Sequence, residues 1–161
     1  MSKGKGIGQM MHYAKQFDLE NAGLPSNVKE LLSKVNDYEV QSITIGRNSV
    51  QSVIQTALRT LSQVKFDNIF HLFLVFNCSN GKKALMEKNA RINMSTSIPK
   101  MEESMLISNV PKYTIKEYVA KTKAYMGKNF IPYDPDKNNC QNFCLSTFQA
   151  NGIQEGHQFI K

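Results

Sequence analysis

The strongest constraint on the fold is an apolar run near the middle of the chain, residues 69–76, which only His71 interrupts. An apolar run of this length with a single interruption is typical of a central strand that is covered on both faces. The pair Asn80-Gly81 follows, and Asn-Gly between two strand-like segments is a strong signal for a tight turn. We therefore predict a β-hairpin in which residues 69–76 form the first strand and residues 84–92 form the returning strand.

Two helices are predicted in the C-terminal half of the chain. Thr114 and Glu117 have the spacing of a capping box, and the helix that they open is expected to end at Gly127. Asn139 is expected to cap a last helix over residues 140–150, which an Asn-Gly pair then closes.

The N-terminal half gives weaker patterns. Ser26 is predicted to cap a short amphipathic helix, and residues 38–45 are predicted to form a strand that Gly46 ends. Asn48 is then predicted to cap a longer helix that extends to Gln63, because apolar residues follow it at helical spacing. We interpret that apolar stripe as core packing without a chemical role.

The length of 161 residues favours one folded domain. Residues 1–37 are predicted to be a partly flexible N-terminal extension with a short helix, and residues 38–161 to be the main domain. Within the main domain, residues 93–103 are expected to form a loop and residues 105–110 a further strand. The predicted fold class is α+β, with a small antiparallel sheet packed against the last helix and one or two further helices, including the Asn48 helix.

The composition argues against several classes of protein. No apolar stretch reaches the roughly 20 residues that a transmembrane helix needs, and the N-terminus lacks the apolar core of a signal peptide. We therefore expect a cytoplasmic or virion-associated protein. The odd number of cysteines and the scattered positions of the histidines argue against a disulfide framework and against a zinc site. No metal and no cofactor are expected, and His12 and His157 are assigned no role.

The formal net charge of +7 is spread along the chain. It has two interpretations, which are weak attraction to nucleic acid or anionic lipid and a basic surface without a specific partner. No RNA-binding module of a known kind is recognisable, so we expect no specific nucleic-acid partner.

Cys140 is the strongest candidate for chemistry. It is expected in the first turn of the last helix, where unpaired backbone N–H groups and the helix dipole favour an anion. A thiolate is such an anion, so a cysteine of low pKa can be built at this position. The alternative is a small apolar core residue, which is the interpretation that we favour for Cys78 and Cys144.

His71 opens the central strand and is the candidate base for Cys140. A histidine that acts as a base needs an acceptor on its other ring nitrogen. A turn at the Asn-Gly pair places position 89 or 90 roughly opposite His71, and Glu87 then lies one step diagonally away. Glu87 and Asn89 are therefore the candidates for the orienting group. The alternatives are a structural histidine and a solvated carboxylate.

The order of these motifs resembles the circularly permuted papain-like superfamily, the group of NlpC-type, YiiX-like and lecithin retinol acyltransferase-like proteins. The histidine strand at 71–75 followed by Leu-Met-Glu-Lys-Asn at 85–89 is similar to the YiiX-like branch. The box Asn-Cys-Gln-Asn-Phe at 139–143 resembles the Asn-Cys-x-x-Phe motif of the acyltransferase branch. The chain also looks like small viral versions of these proteins. The resemblance covers about residues 66–152 and depends on the order of short motifs.

The resemblance implies that Cys140 is the nucleophile, that His71 is the general base and that Glu87 orients the histidine, with Asn89 as the alternative. It implies a thiol hydrolase of the peptidase or amidase type, which forms a thioester acyl-enzyme. A phospholipase or acyltransferase that acts on lipids at a membrane surface is the alternative, and a catalytically inactive interaction or virion component is the second alternative. The acyltransferase branch often has a second histidine where this chain has Glu87 or Asn89, which weakens the lipid interpretation.

Overall fold

The computed structural model describes residues 24–49, 70–134 and 138–161. Within these ranges the fold is α+β, as predicted, and one antiparallel sheet contains the strands β1 (Val40–Ser49), β2 (Phe70–Cys78), β3 (Lys83–Lys88), β4 (Ile92–Ser95) and β5 (Glu103–Ile107). The helices of the described residues are α1 (Ser26–Val35), α2 (Ile115–Met126), α3 (Cys140–Ala150) and the short α4 (His157–Ile160), and the 3-10 turn Gly127–Asn129 follows α2.

Strand β2 is the middle strand of the sheet, whose order is β4-β3-β2-β1-β5. Its side chains alternate between two faces, as the pleat of a strand requires. Leu72, Leu74 and Phe76 pack in the same buried cluster as residues from α1, α2 and α3, whereas Phe73 and Val75 belong to a second cluster. The apolar run is therefore covered on both faces, which confirms the prediction of a central strand.

The predicted hairpin is confirmed, because β2 pairs with β3 and Gly81 in the turn has a positive φ of 82°. The returning strand is shorter than predicted. Strand β3 ends at Lys88, and the N–H of Asn89 donates to the carbonyl of Arg91 (3.0 Å) in a second turn that leads into β4. The prediction of a loop over 93–103 is wrong at both of its ends, because β4 extends to Ser95 and β5 begins at Glu103.

The other elements agree with the sequence to different degrees. Thr114 opens α2 with a capping box, and Gly127 follows the end of that helix, as predicted. Strand β5 begins two residues earlier than the predicted strand at 105–110 and pairs with β1. Ser26 is the first residue of α1 and not its cap, because Pro25 occupies the cap position without a side-chain hydrogen bond.

Helix α1 buries Val28, Leu32 and Val35 in the cluster that α2 and α3 also enter. The domain boundary between residues 37 and 38 stays a prediction. None of the helices in the described ranges combines the length and the apolar character that crossing a bilayer requires.

Strand β1 continues through Gly46 to Ser49, so the prediction that Gly46 ends the strand is wrong. Gly46 pairs with Phe73 of β2, and a Cβ atom at position 46 would overlap the ring of Phe73. The glycine is therefore a place where an aromatic side chain comes close to the backbone of a neighbouring strand.

Asn48 is a strand residue, so the prediction that it caps a helix is also wrong. Its side-chain amide donates to the carbonyl of Lys100 (2.9 Å) and accepts from the N–H of Glu102 (2.8 Å). These bonds join β1 to the segment before β5. The rest of the helix predicted to extend to Gln63 lies outside the described residues.

Replacing Gly46 with alanine is expected to lower the free energy of unfolding by about 2 kcal/mol, because overpacking forces Phe73 or the backbone to shift. The measurement is urea unfolding of Gly46→Ala, Phe73→Leu and the double variant. The double variant should lose less stability than the sum of the two single losses, since leucine vacates part of the overlapping volume. Strictly additive losses of stability would show that the ring of Phe73 does not limit the size of the side chain at position 46.

Candidate active site

Helix α3 begins at Cys140, as predicted, and Asn139 is its cap. The side chain of Asn139 accepts from the N–H of Asn142 (3.1 Å), and the side chain of Asn142 accepts from the N–H of Asn139 (3.1 Å). Neither bond uses the backbone N–H of Cys140. The half-buried thiol of Cys140 lies at the beginning of β2, where its Sγ is 3.8 Å from the carbonyl oxygen of Phe70.

His71 and Glu87 are joined across the β2–β3 hairpin, with 2.5 Å between Nε2 of His71 and Oε2 of Glu87. The register pairs Phe73 with Glu87, so Glu87 is the diagonal neighbour of His71. Asn89, the other candidate for the orienting group, donates to Oε1 of Glu87 at 3.5 Å. Glu87 therefore contacts the imidazole through one carboxylate oxygen, and Asn89 contacts the other oxygen of the same carboxylate.

Asn93 is a supporting residue that the sequence reasoning missed. It lies opposite Glu87 on β4 and donates to Oε1 of Glu87 at 3.0 Å. The prediction of one strand over residues 84–92 places Asn93 in a loop and so does not identify it. The polar break Asn-Ala-Arg at 89–91 is the signal of a second antiparallel turn that could have placed it.

Cys140 and His71 share a side-chain hydrogen bond. Because Glu87 occupies Nε2 of the imidazole, Nδ1 is the ring nitrogen that remains for the thiol. The thiol, the imidazole and the carboxylate therefore form a continuous chain of three side chains. They come from α3, β2 and β3, and Cys140 lies about 70 residues after His71.

The electrostatic interactions among Cys140, His71 and Glu87 favour a thiolate beside an imidazolium. Burial alone would lower the pKa of His71, but its hydrogen bonds to Cys140 and Glu87 and the charges of both groups raise that pKa to about 9. Burial would raise the pKa of Cys140, yet the hydrogen bond to His71, the backbone of Leu72 and the charge of His71 hold it below its ordinary value. Burial likewise opposes ionisation of Glu87, and hydrogen bonds from His71 and Asn93 lower its pKa.

The other two cysteines have the opposite character. Cys78 and Cys144 are buried in the core, as predicted, and burial raises the pKa of both thiols. The effect is larger for Cys144, which lies one turn after Cys140 on the same helix and is fully buried. Among the three cysteines, only Cys140 therefore has a lowered pKa.

A buried lysine holds the segment that leads to α3. Lys88 is fully buried, and its Nζ donates to the carbonyls of Asn129 (3.0 Å) and Phe130 (2.8 Å). The side chain of Asn138 donates to the same carbonyl of Asn129 (2.7 Å). On one face of β3, Glu87 contacts His71. On the other face, Lys88 holds the segment that leads to Cys140.

A cavity of about 440 Å³ lies beside His71 and Glu87. Phe73 and Leu85, which belong to the second buried cluster, contribute apolar surface to it. Asn48 of β1, Pro99, and asparagine and serine side chains of β4 and the adjoining turns complete its lining, which consists of Asn48, His71, Phe73, Leu85, Glu87, Asn89, Asn93, Ser95, Ser97 and Pro99.

The C-terminal residues lie close to the other side of Cys140. The side chain of Gln141, the residue after Cys140, donates to the carbonyls of Ile160 (2.8 Å) and Lys161 (3.3 Å). Arg47 donates to the carbonyl of Phe159 (3.0 Å) and lies over the ring of that residue. The end of the described chain is therefore fixed beside the first turn of α3.

In the described ranges, no group of three histidine, cysteine or acidic side chains has an arrangement that could hold a metal ion. His157 donates to the carbonyl of Ile153 (2.9 Å), away from Cys140, and His12 lies outside the described residues. No protein-family model, no curated protein and no solved structure matches this chain.

Proposed function

We propose that this protein is a cysteine-dependent hydrolase of the peptidase or amidase type, built as a circularly permuted papain-like domain. The observation that carries the proposal is the chain of contacts from Cys140 through His71 to Glu87, in which the thiol has a lowered pKa and the imidazole a raised pKa. A thiol next to a base that is itself oriented by a third group is the arrangement of covalent thiol catalysis. The order of the chain, with the histidine strand before the cysteine helix, supports the permuted arrangement.

Each group has a defined part in the proposed reaction. The thiolate of Cys140 attacks a substrate carbonyl carbon and forms a carbon–sulfur bond, and backbone N–H groups at the start of α3, including that of Cys140, stabilise the oxyanion. The imidazolium of His71 gives its proton to the leaving amine as the carbon–nitrogen bond breaks. Water then attacks the thioester, His71 takes a proton from the water, and the carboxylic acid and the thiolate are released. Glu87 keeps the imidazole oriented and stabilises its positive charge.

The proposal predicts that alkylation by iodoacetamide separates the three cysteines. At pH 6, Cys140 is expected to react at least about tenfold faster than Cys78 and Cys144, because the thiolate is the reactive form and only Cys140 has a lowered pKa. The sites are located by peptide mass spectrometry. His71→Ala should remove the advantage of Cys140, whereas the control His157→Ala should keep it.

The pH dependence has a defined sign. The ion pair exists above the lowered pKa of Cys140 and is lost as the pH rises through about 9, where the imidazolium of His71 gives up its proton. Acylation that needs His71 as the acid is therefore expected to decline above pH 9.

In the alkylation experiment, a result in which Cys140 reacts no faster than the other two cysteines would contradict the hydrolase proposal, and an inactive interaction or virion component would take its place.

A second candidate is a phospholipase or acyltransferase that acts on membrane lipids. Two large exposed side chains flank the nucleophile: Phe70, which is 41% exposed and bonded to Cys140 through its carbonyl, and Tyr133, which is 39% exposed. Burial and the charge of Cys140 raise the pKa of Tyr133. Exposed aromatic rings beside a reactive group, together with a net charge of +7, suit an anionic lipid surface. Turnover on phosphatidylserine vesicles but not on peptides would favour this candidate.

A further inference from the structure

The cavity next to His71 and Glu87 lies on the face of β2 that carries Phe73, and His71, but not Cys140, is among its lining residues. We propose that this cavity binds the leaving side of the substrate and selects an uncharged residue with an apolar side chain. The inference depends on the proposed hydrolase function and adds its substrate class.

The position of the acid assigns the cavity to the leaving side. In the proposed reaction, His71 protonates the leaving nitrogen, so that nitrogen must come within hydrogen-bonding distance of the imidazole. The acyl carbon is at the same moment bonded to Sγ of Cys140. The part of the substrate beyond the leaving nitrogen therefore passes over the imidazole. The imidazole lines the cavity and stacks against Phe73, with 5.9 Å between the two ring centroids.

The size and the apolar surface of the cavity favour a single residue. Its volume of about 440 Å³ is near the lower end of the range for small-molecule sites. Phe73 and Leu85 supply aromatic and aliphatic surface, so burying an apolar side chain against them stabilises the complex. The amides and hydroxyls of Asn89, Ser95 and Ser97 can hydrogen-bond to a peptide backbone.

The charges of the lining exclude an ionised side chain. Among the described residues that line the cavity, the ionisable ones are His71 and Glu87. Both oxygens of the Glu87 carboxylate are already in use, Oε2 by His71 and Oε1 by Asn93 and Asn89. A lysine or aspartate side chain of a substrate would therefore lose hydration in this cavity without gaining a free counter-charge.

The inference can be tested without knowing the natural substrate. p-Nitrophenyl acetate acetylates a reactive thiolate: the carbon–sulfur bond forms, the carbon–oxygen bond breaks, and the leaving p-nitrophenol takes its proton from His71 and then ionises in solution to p-nitrophenolate. An added amine then attacks the thioester in the reverse direction of the leaving step. His71 takes the proton of the amine, the carbon–sulfur bond breaks and the thiolate is restored. The acceptors are the α-amides of leucine, phenylalanine, lysine and aspartate at equal concentration, and mass spectrometry counts the acetylated products.

For the wild type, the leucine and phenylalanine amides are expected to give about ten times more product than the lysine and aspartate amides. Ser97→Lys adds a positive charge to the lining and should raise the ratio of aspartate to lysine product about fivefold. Thr96→Lys is the matched control, because Thr96 is the exposed neighbour of Ser97 and does not line the cavity. It should leave the ratio unchanged.

The two failures are distinguishable. If Cys140 is acetylated but the four acceptors react equally, or Ser97→Lys and Thr96→Lys behave alike, the cavity does not bind the leaving side and the hydrolase proposal stands. If the wild type releases p-nitrophenolate no faster than Cys140→Ser, the hydrolase proposal fails and the inference fails with it.

Discussion

Replacing Cys140 with serine is expected to slow the release of p-nitrophenolate from p-nitrophenyl acetate by about a thousandfold or more, down to the rate of unspecific hydrolysis. The serine hydroxyl has nearly the same shape, but His71 cannot ionise it as it ionises a thiol whose pKa is already lowered. Stopped-flow absorbance of the wild type should show a burst that corresponds to one acetyl group per chain, and the variant should show none.

Cys144→Ala is the matched control for this loss. Cys144 is one helical turn away and fully buried, so the variant tests whether removing any thiol from α3 disturbs the reaction. The burst should survive in Cys144→Ala. A burst of equal size in Cys140→Ser would show that another group accepts the acetyl group and would remove Cys140 from the proposed mechanism.

The largest loss of stability is expected from a residue outside the reacting groups. Lys88→Ala should lower the free energy of unfolding at pH 7 by about 4 kcal/mol, because it opens a cavity and removes both hydrogen bonds to the carbonyls of Asn129 and Phe130. Lys83→Ala, on the same strand but exposed, should change stability by less than about 0.5 kcal/mol. Chemical unfolding measures both. Equal and small losses would mean that the buried ammonium contributes little to the fold.

The contribution of Lys88 to stability depends on pH, and a second variant tests that dependence. Burial lowers the pKa of Lys88 from 10.5 to about 8, so the unfolded chain binds more protons than the folded chain between these two values. Stability of the wild type therefore gains from this group as the pH rises through that window. Lys88→Met cannot titrate, and its deficit relative to the wild type should widen from pH 8 towards pH 10.5. A deficit that narrows would contradict the lowered pKa.

The parts of the fold that the sequence predicts are those with local causes. The hairpin depends on two adjacent residues, Asn80 and Gly81, and its alternation brings Glu87 to the diagonal position beside His71. Thr114 and Asn139 cap their helices through bonds to residues three positions later. In each case the interacting groups are close in the sequence, so a pattern can reveal them.

Two of the features that the sequence does not predict have distant causes, and a third depends on an unrecognised turn. Gly46 lies within a strand, where a ring 27 positions later, that of Phe73, occupies the space that a side chain would need. Lys88 is the last residue of β3, and its acceptors are carbonyls 41 and 42 positions away. Asn93 reaches Glu87 only because a short turn divides the predicted returning strand into two. Phe73 and the two carbonyls lie outside any window of ten residues around Gly46 or Lys88, whereas Asn93 lies six positions after Glu87 and depends on recognising the turn between them.

The site is assembled from contacts of very different sequence separation, which has a consequence for its order of formation. His71 and Glu87 are 16 positions apart within one hairpin, whereas Cys140 meets the beginning of β2 across 70 positions. Short loops close faster and at a smaller entropic cost than long ones, so we expect the imidazole to acquire its carboxylate before the thiol arrives. Until α3 docks, Cys140 is expected to be an ordinary, largely protonated cysteine, so the proposed nucleophile would be activated only after the fold has closed around it. Pulsed alkylation during refolding would time that docking.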